Sequence, residues 1–270
     1  MLSIDEILAQ GLTRSQSARY EDTGFIKPLT ALIDALNTEA DLNTAGVAFH
    51  QARLQGLLQN RKALEDWTRK HPEIAEETLL APIVIVGLPR TGTTLLHRTI
   101  ATDTGLMAPL WYEVRQPAPI DMNFVSDDGR IAIAKAEVDA MLAAMPGLAA
   151  IHPIDAIAPD EEIMLLEHSF ISTVPECYAS IPKYGEALYA QDPSASYDYL
   201  YKMLQFLQWQ KRQKGDLGQR WLLKTPHHLH YPQQLFQTFP NAVVIQTHRH
   251  PSEVMPSYAS MMCELAAPFA

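Results

Sequence analysis

The sequence predicts an α/β fold: a parallel sheet flanked by helices, with an N-terminal helical extension. Three observations carry this expectation. The first 80 residues show only helical spacing of their apolar positions. Of three short apolar runs, Ile83-Val84-Ile85-Val86 ends in glycine, while Trp221-Leu222-Leu223 and Ala242-Val243-Val244-Ile245 lead into polar residues. A long, mainly helical stretch separates the first run from the other two. The chain organisation expected is a helical region over 1–80 and one α/β domain over 81–270. A length of 270 residues suits one α/β domain with appendages better than two independent domains.

From Thr44 to Lys70, Val47, Leu54, Leu57, Leu58 and Leu64 recur at helical spacing, and His71-Pro72 supplies the stop. Glu73, Glu76 and Glu77 read as a solvated face. The run at 83–86 is continuously apolar and β-branched, as in a strand buried on both faces of a parallel sheet. Thr93 to Ala101 then reads as a helix, and the proline-rich segment Pro109–Pro119 as a loop. Glu161 to Phe170 and Ser196 to Lys214 read as helices. In the second, Tyr197, Leu200, Leu204 and Leu207 mark one face, and Gly215 is a C-cap. The runs at 221–223 and 242–245 place Lys224 and Gln246-Thr247-His248-Arg249 just past the carboxyl ends of strands, where open α/β sheets bind ligands.

Bulk properties narrow the function. A formal net charge of −10 argues against a broad electrostatic grip on nucleic acid or an anionic membrane, so an anionic ligand needs a few local cations. The two cysteines, Cys177 and Cys263, form no disulfide framework and show no metal-ligand spacing. The start of the chain lacks the pattern of a secretory signal, and no apolar stretch approaches bilayer length. A cytoplasmic location is the expectation.

Two motifs carry chemistry. Gly87-Leu88-Pro89-Arg90-Thr91-Gly92-Thr93-Thr94 lies between the first strand and its helix. It keeps the frame of a phosphate-binding P-loop, but Thr93 occupies the lysine position. Backbone N–H groups and a helix N-terminus still suit a phosphate, with hydroxyls from Thr91, Thr93 and Thr94 and charge from Arg90. The missing lysine, and the lack of a convincing strand-terminal aspartate for magnesium, disfavour a kinase or NTPase. The second motif is Arg249 at a strand end and Ser257 eight residues on, about two helical turns away. Those two side chains suit one phosphate gripped from two sides. Pro256 fits that helix only if it still lies in the first turn.

Together the two motifs resemble those of sulfotransferases that use 3′-phosphoadenosine 5′-phosphosulfate (PAPS), most closely the bacterial branch with a Gly-x-Pro-Arg-[Ser/Thr]-Gly-Thr-Thr loop. The resemblance covers roughly Pro82 to Ser260. It implies a P-loop-like α/β fold and transfer of a sulfuryl group from PAPS to a hydroxyl or amine. It also implies that Arg90, Thr91, Gly92, Thr93 and Thr94 hold the 5′-phosphosulfate, while Arg249 and Ser257 hold the 3′-phosphate. Members of that family usually continue well beyond this point, whereas this chain stops at Ala270, so a C-terminally truncated product is expected. His250 stands where the family commonly has an aspartate.

Arg90 and Lys224 are the candidates for stabilising the leaving group, Lys224 by its likeness to the family's catalytic lysine. The base is open between Glu113, which lies beside aromatics that would raise its pKa, and His227 or His228. No metal is required. The expected acceptor is a small molecule, mildly suggested to be partly apolar by the composition from Trp111 to Tyr199. The alternative is a nucleotide- or phosphate-binding module of the same fold that performs no chemistry.

Overall fold

Helix formation dominates the chain up to residue 70. In the computed structural model, which describes residues 1–13, 15, 17–121, 124–126 and 128–269, three helices precede the sheet: α1 Ile4–Gly11, α2 Ile26–Thr38 and α3 Thr44–Lys70. The Ser3 side chain accepts from the Glu6 N–H and the Asn43 side chain from the Gly46 N–H, satisfying donors that have no intrahelical acceptor. α3 has the bounds expected, ending at Lys70 with His71 as its C-cap before Pro72. Leu29, Leu32, Leu36, Leu54 and Leu58 form one core with Phe170, Ile181 and Leu188, so the N-terminal helices bury their apolar faces against later chain.

The rest of the chain alternates strands and helices. In order come β1 Ile83–Val86, α4 Thr93–Ile100, β2 Leu106–Met107, α5 Trp111–Arg115, α6 Arg130–Ala144, α7 Leu148–Ile151, α8 Ile163–Leu166, α9 Pro182–Ala190, α10 Ser194–Lys214, β3 Arg220–Lys224, α11 Pro232–Thr238, β4 Val243–Gln246 and α12 Pro251–Ala266. The four strands are parallel in the order β2-β3-β1-β4. In register, Val84 pairs with Leu223 on one side and Val244 on the other. One sheet face packs Val84, Val86, Trp221 and Leu223 under Leu200, Met203, Leu204 and Leu207 of α10. Gly215 ends α10 in the left-handed region, φ 72°, as a glycine C-cap does.

Several expectations change. β4 is apolar but not buried: Val243 is 48% and Val244 37% exposed, because β4 ends the sheet while β3 sits between β1 and β2 beneath α10. The 109–119 segment holds the short helix α5. The helix expected from Glu161 begins at Ile163 and tightens into a 3₁₀ turn, Glu167–Ser169, where Phe170 takes φ 59°. Glu77 is buried, drawn in by the Arg212 guanidinium at 2.7 Å and the Gln208 amide at 2.7 Å. Pro256 lies inside α12 beyond its first turn, where it removes an intrahelical hydrogen bond.

Candidate active site

The carboxyl ends of β3, β1 and β4 bring three cationic residues to the phosphate-type loop, although the chain as a whole is acidic. The loop turns sharply after β1. A Cβ on Gly87 would meet the Thr247 hydroxyl at 2.2 Å, so only glycine admits the close approach of β4. Gly92 takes φ 86° as the N-cap of α4 and Arg90 takes φ 71°, a left-handed conformation that a non-glycine residue adopts at a cost. The Thr91 hydroxyl bonds the Leu88 carbonyl at 2.7 Å and the Thr247 hydroxyl at 2.6 Å, tying the loop to β4. At the start of α4 the N-cap is Gly92, and no side chain among the described residues caps Thr93 and Thr94, whose N–H groups have no intrahelical acceptor.

The two motifs meet. The Arg90 Nε donates to the Ser257 hydroxyl at 3.0 Å, and an Arg249 Nη approaches the Arg90 carbonyl at 3.5 Å. Residues 167 positions apart in sequence thus form one cationic cluster between the loop and α12. His250 takes over the capping task that an aspartate would perform, its Nδ1 accepting from the Ser252 N–H at 3.3 Å.

On the other flank, Lys224 closes β3. Its side chain is buried, and its ammonium donates to the Thr94 hydroxyl at 3.3 Å and pairs with the Glu161 carboxylate. Glu161 is 19% exposed, so this carboxylate reaches both Lys224 and solvent beside the loop. Its neighbour Glu162 is wholly buried. Glu162 accepts from the Lys224 N–H at 2.7 Å and bonds the His228 Nε2 at 2.8 Å, while the His228 Nδ1 bonds the Tyr197 hydroxyl at 2.7 Å. Burial pulls the Glu162 carboxyl up, but His228 and the Lys224 N–H outweigh it and hold it below the usual range. Farther back, segment 156–160 is laced to residues 109–112, including Asp160 N–H to the Pro109 carbonyl at 2.9 Å. That lacing and Glu162 fix where Glu161 points.

A sulfotransferase family profile matches residues 82–270, from the edge of β1 to the end of the chain. The chain belongs to the sulfotransferase family. It superposes on the crystal structure of the sulfotransferase STF1 from Mycobacterium tuberculosis H37Rv with TM-score 0.86 at 27% identity, covering 99% of this chain and 73% of that one. The fold is likewise that of the sulfotransferase STF9 from Mycobacterium avium, with TM-score 0.85 at 22% identity and coverage of 100% and 68%. No curated protein sequence matches.

In this sulfotransferase the three candidates for the base are each enclosed by the fold. Glu113 is buried in α5: its carboxylate accepts from the Leu110 N–H at 3.0 Å, pairs with Lys211 at 2.8 Å and receives the Tyr112 hydroxyl at 3.2 Å. That is a helix cap with a buried counterion. His227 is 1% exposed with neither ring nitrogen hydrogen-bonded among the described residues, and burial first, then the neighbouring histidines, push its imidazole down to about 3. His228 is locked between Glu162 and Tyr197. Glu161 and Glu162, which both contact Lys224, are not singled out by the sequence reasoning. The pair of carboxylates at the head of an apolar segment was their only local signal. No helix among the described residues is long and apolar enough to cross a membrane.

Proposed function

We propose that the chain transfers a sulfuryl group from PAPS to a hydroxyl or amine of a small, partly apolar acceptor. The observation that carries this reading is the meeting of Arg90, Ser257 and Arg249, which supports one nucleotide bearing anionic groups at two ends. Arg249 and Ser257 take the 3′-phosphate. The α4 N-terminus with Arg90, Thr91, Gly92, Thr93 and Thr94 takes the 5′-phosphosulfate, by N–H donation and charge.

Glu161 is the base in this reading, in place of Glu113, His227 or His228. It is a carboxylate at the loop with a path to solvent, whereas Glu113 is consumed by a cap and an ion pair. The acceptor oxygen bonds to sulfur as the bond from sulfur to the 5′-phosphate oxygen breaks. The acceptor proton passes to Glu161, and the electron pair leaves on the phosphate of 3′-phosphoadenosine 5′-phosphate (PAP). Lys224, anchored on Thr94, and Arg90 offset the charge growing on that oxygen.

Calorimetric titration of PAP, ATP and 5′-AMP into the protein tests the reading. PAP binds best, and Arg249→Ala weakens it by about ten- to a hundredfold, the equivalent of about 1.5–3 kcal/mol for one charged partner. Preference for ATP, or indifference to Arg249→Ala, would refute the assignment.

A further inference from the structure

Arg249 is already engaged by another residue of its own segment. Its Nε donates to the Glu253 carboxylate at 2.6 Å, and the two side chains are 51% and 55% exposed. Glu253 stands in the first turn of α12, four residues beyond Arg249 and four before Ser257. Residues four apart on a helix lie one above the other, so Glu253 and Ser257 share a face, and the ion pair draws Arg249 along it. A phosphate that draws on both Arg249 and Ser257 therefore has to compete with the Glu253 carboxylate for the guanidinium.

We propose that Glu253 is a specificity-determining residue that competes with the ligand's 3′-phosphate for Arg249. The inference rests on the reading of Arg249 and Ser257 as the 3′-phosphate pair. Without ligand, Glu253 holds the guanidinium extended along α12. When a 3′-phosphate arrives, it takes Arg249 from Glu253, and Glu253 turns to solvent at little cost because it is exposed. The competition lowers affinity for every 3′-phosphorylated ligand, the product PAP included, and so favours product release. A ligand with a free 3′-hydroxyl leaves the ion pair intact.

The test is calorimetry with PAP and 5′-AMP on the protein and on Glu253→Gln, Arg249→Ala and the double variant, all checked for unchanged melting. Glu253→Gln tightens PAP by about two- to fivefold, the range expected of an exposed ion pair, and leaves 5′-AMP unchanged. The gain disappears when residue 249 is already alanine. Unchanged or weaker PAP binding in Glu253→Gln, while Arg249→Ala still costs affinity, overturns the competition and leaves the PAP reading standing. An equal gain for 5′-AMP, or one that persists without Arg249, overturns it as well by reducing it to a general charge effect. A protein that never prefers PAP to 5′-AMP brings down both.

Discussion

The strands on either side of β1 end in comparable chemistry but in opposite surroundings. β3 delivers Lys224 into a site where Lys224, Glu162 and His228 are each at most 1% exposed and hydrogen-bonded to named partners. β4 delivers Arg249 to a surface where the guanidinium and its partner Glu253 are each about half exposed. An ion pair in the first setting is held by geometry and desolvation, and one in the second is exchangeable. The division suits the proposed sulfuryl transfer from PAPS, in which the reacting groups would stay fixed while the nucleotide's 3′-end is captured and released.

The largest effects that sharpen this contrast fall on turnover at the buried flank. Glu161→Gln and Lys224→Met each lower the rate of PAP release from PAPS by about 10²–10³, the cost of losing one preorganised charged group at the reacting centre. Their affinities for PAP change far less. Arg249→Ala gives the converse pattern, an affinity loss with a smaller effect on saturated turnover. If Glu161→Gln retains full turnover, the base lies elsewhere and the buried flank is only scaffold.

The same contrast extends to stability. Leu223 and Val244 lie on either side of Val84 at one level of the sheet, yet Leu223 has no exposure and Val244 is 37% exposed. Leu223→Ala costs about 2–5 kcal/mol through lost burial and a cavity, while Val244→Ala costs less than about 1 kcal/mol. Urea unfolding of the two variants measures the difference. Equal losses would mean that β4 is covered in solution.

This asymmetry marks how far the sequence was legible. The α3 bounds, the loop, the strand-end positions of Lys224 and Arg249 and the pairing of two distant motifs all follow from local patterns: apolar period, glycine placement and spacing. Burial of β4 does not, because Ala242-Val243-Val244-Ile245 reads the same at an edge as at a centre, and the strand order decides. Glu161 escaped for a related reason. Its position comes from segment 156–160 being laced to residues 109–112 and then reaching β3, contacts with no trace in nearby spacing. The capping contact of Glu113 was equally hidden, because Leu110 is not the Ser or Thr that usually announces a capping box.

Acid probes the buried flank with a known sign. His97, His168 and His227 are essentially without exposure, and burial foremost pushes them down to about 4, 3 and 3. The unfolded chain takes up these protons near pH 6.5, whereas the folded chain refuses them until pH approaches those lower values. Their contribution to stability is therefore complete above about pH 6.5 and is lost as pH falls from there, by about 1.4 kcal/mol per pH unit for each histidine. Urea midpoints at pH 7.5, 6.5 and 5.5 record the slope. His227→Leu, which removes an imidazole lacking a hydrogen-bond partner among the described residues, makes it shallower. An unchanged slope in that variant would show that His227 is protonated in the fold.

Salt probes the exposed flank, and its effect is the smallest. Raising the ionic strength shortens the Debye length to about 8 Å at 0.15 M, which screens charges open to solvent and spares buried pairs. PAP binding therefore weakens by a factor of a few on going from low to physiological salt, while the urea midpoint stays nearly fixed, because Lys224 with Glu161 and Arg53 with Glu167 lie at or below one-fifth exposure. In Glu253→Gln the screening acts on Arg249 without its internal competitor, so salt weakens PAP more steeply than in the unaltered protein. A salt response identical in the two proteins would mean that Glu253 has already left Arg249 before the nucleotide arrives. The exposed flank would then resemble the buried one, with a geometry fixed in advance of its ligand.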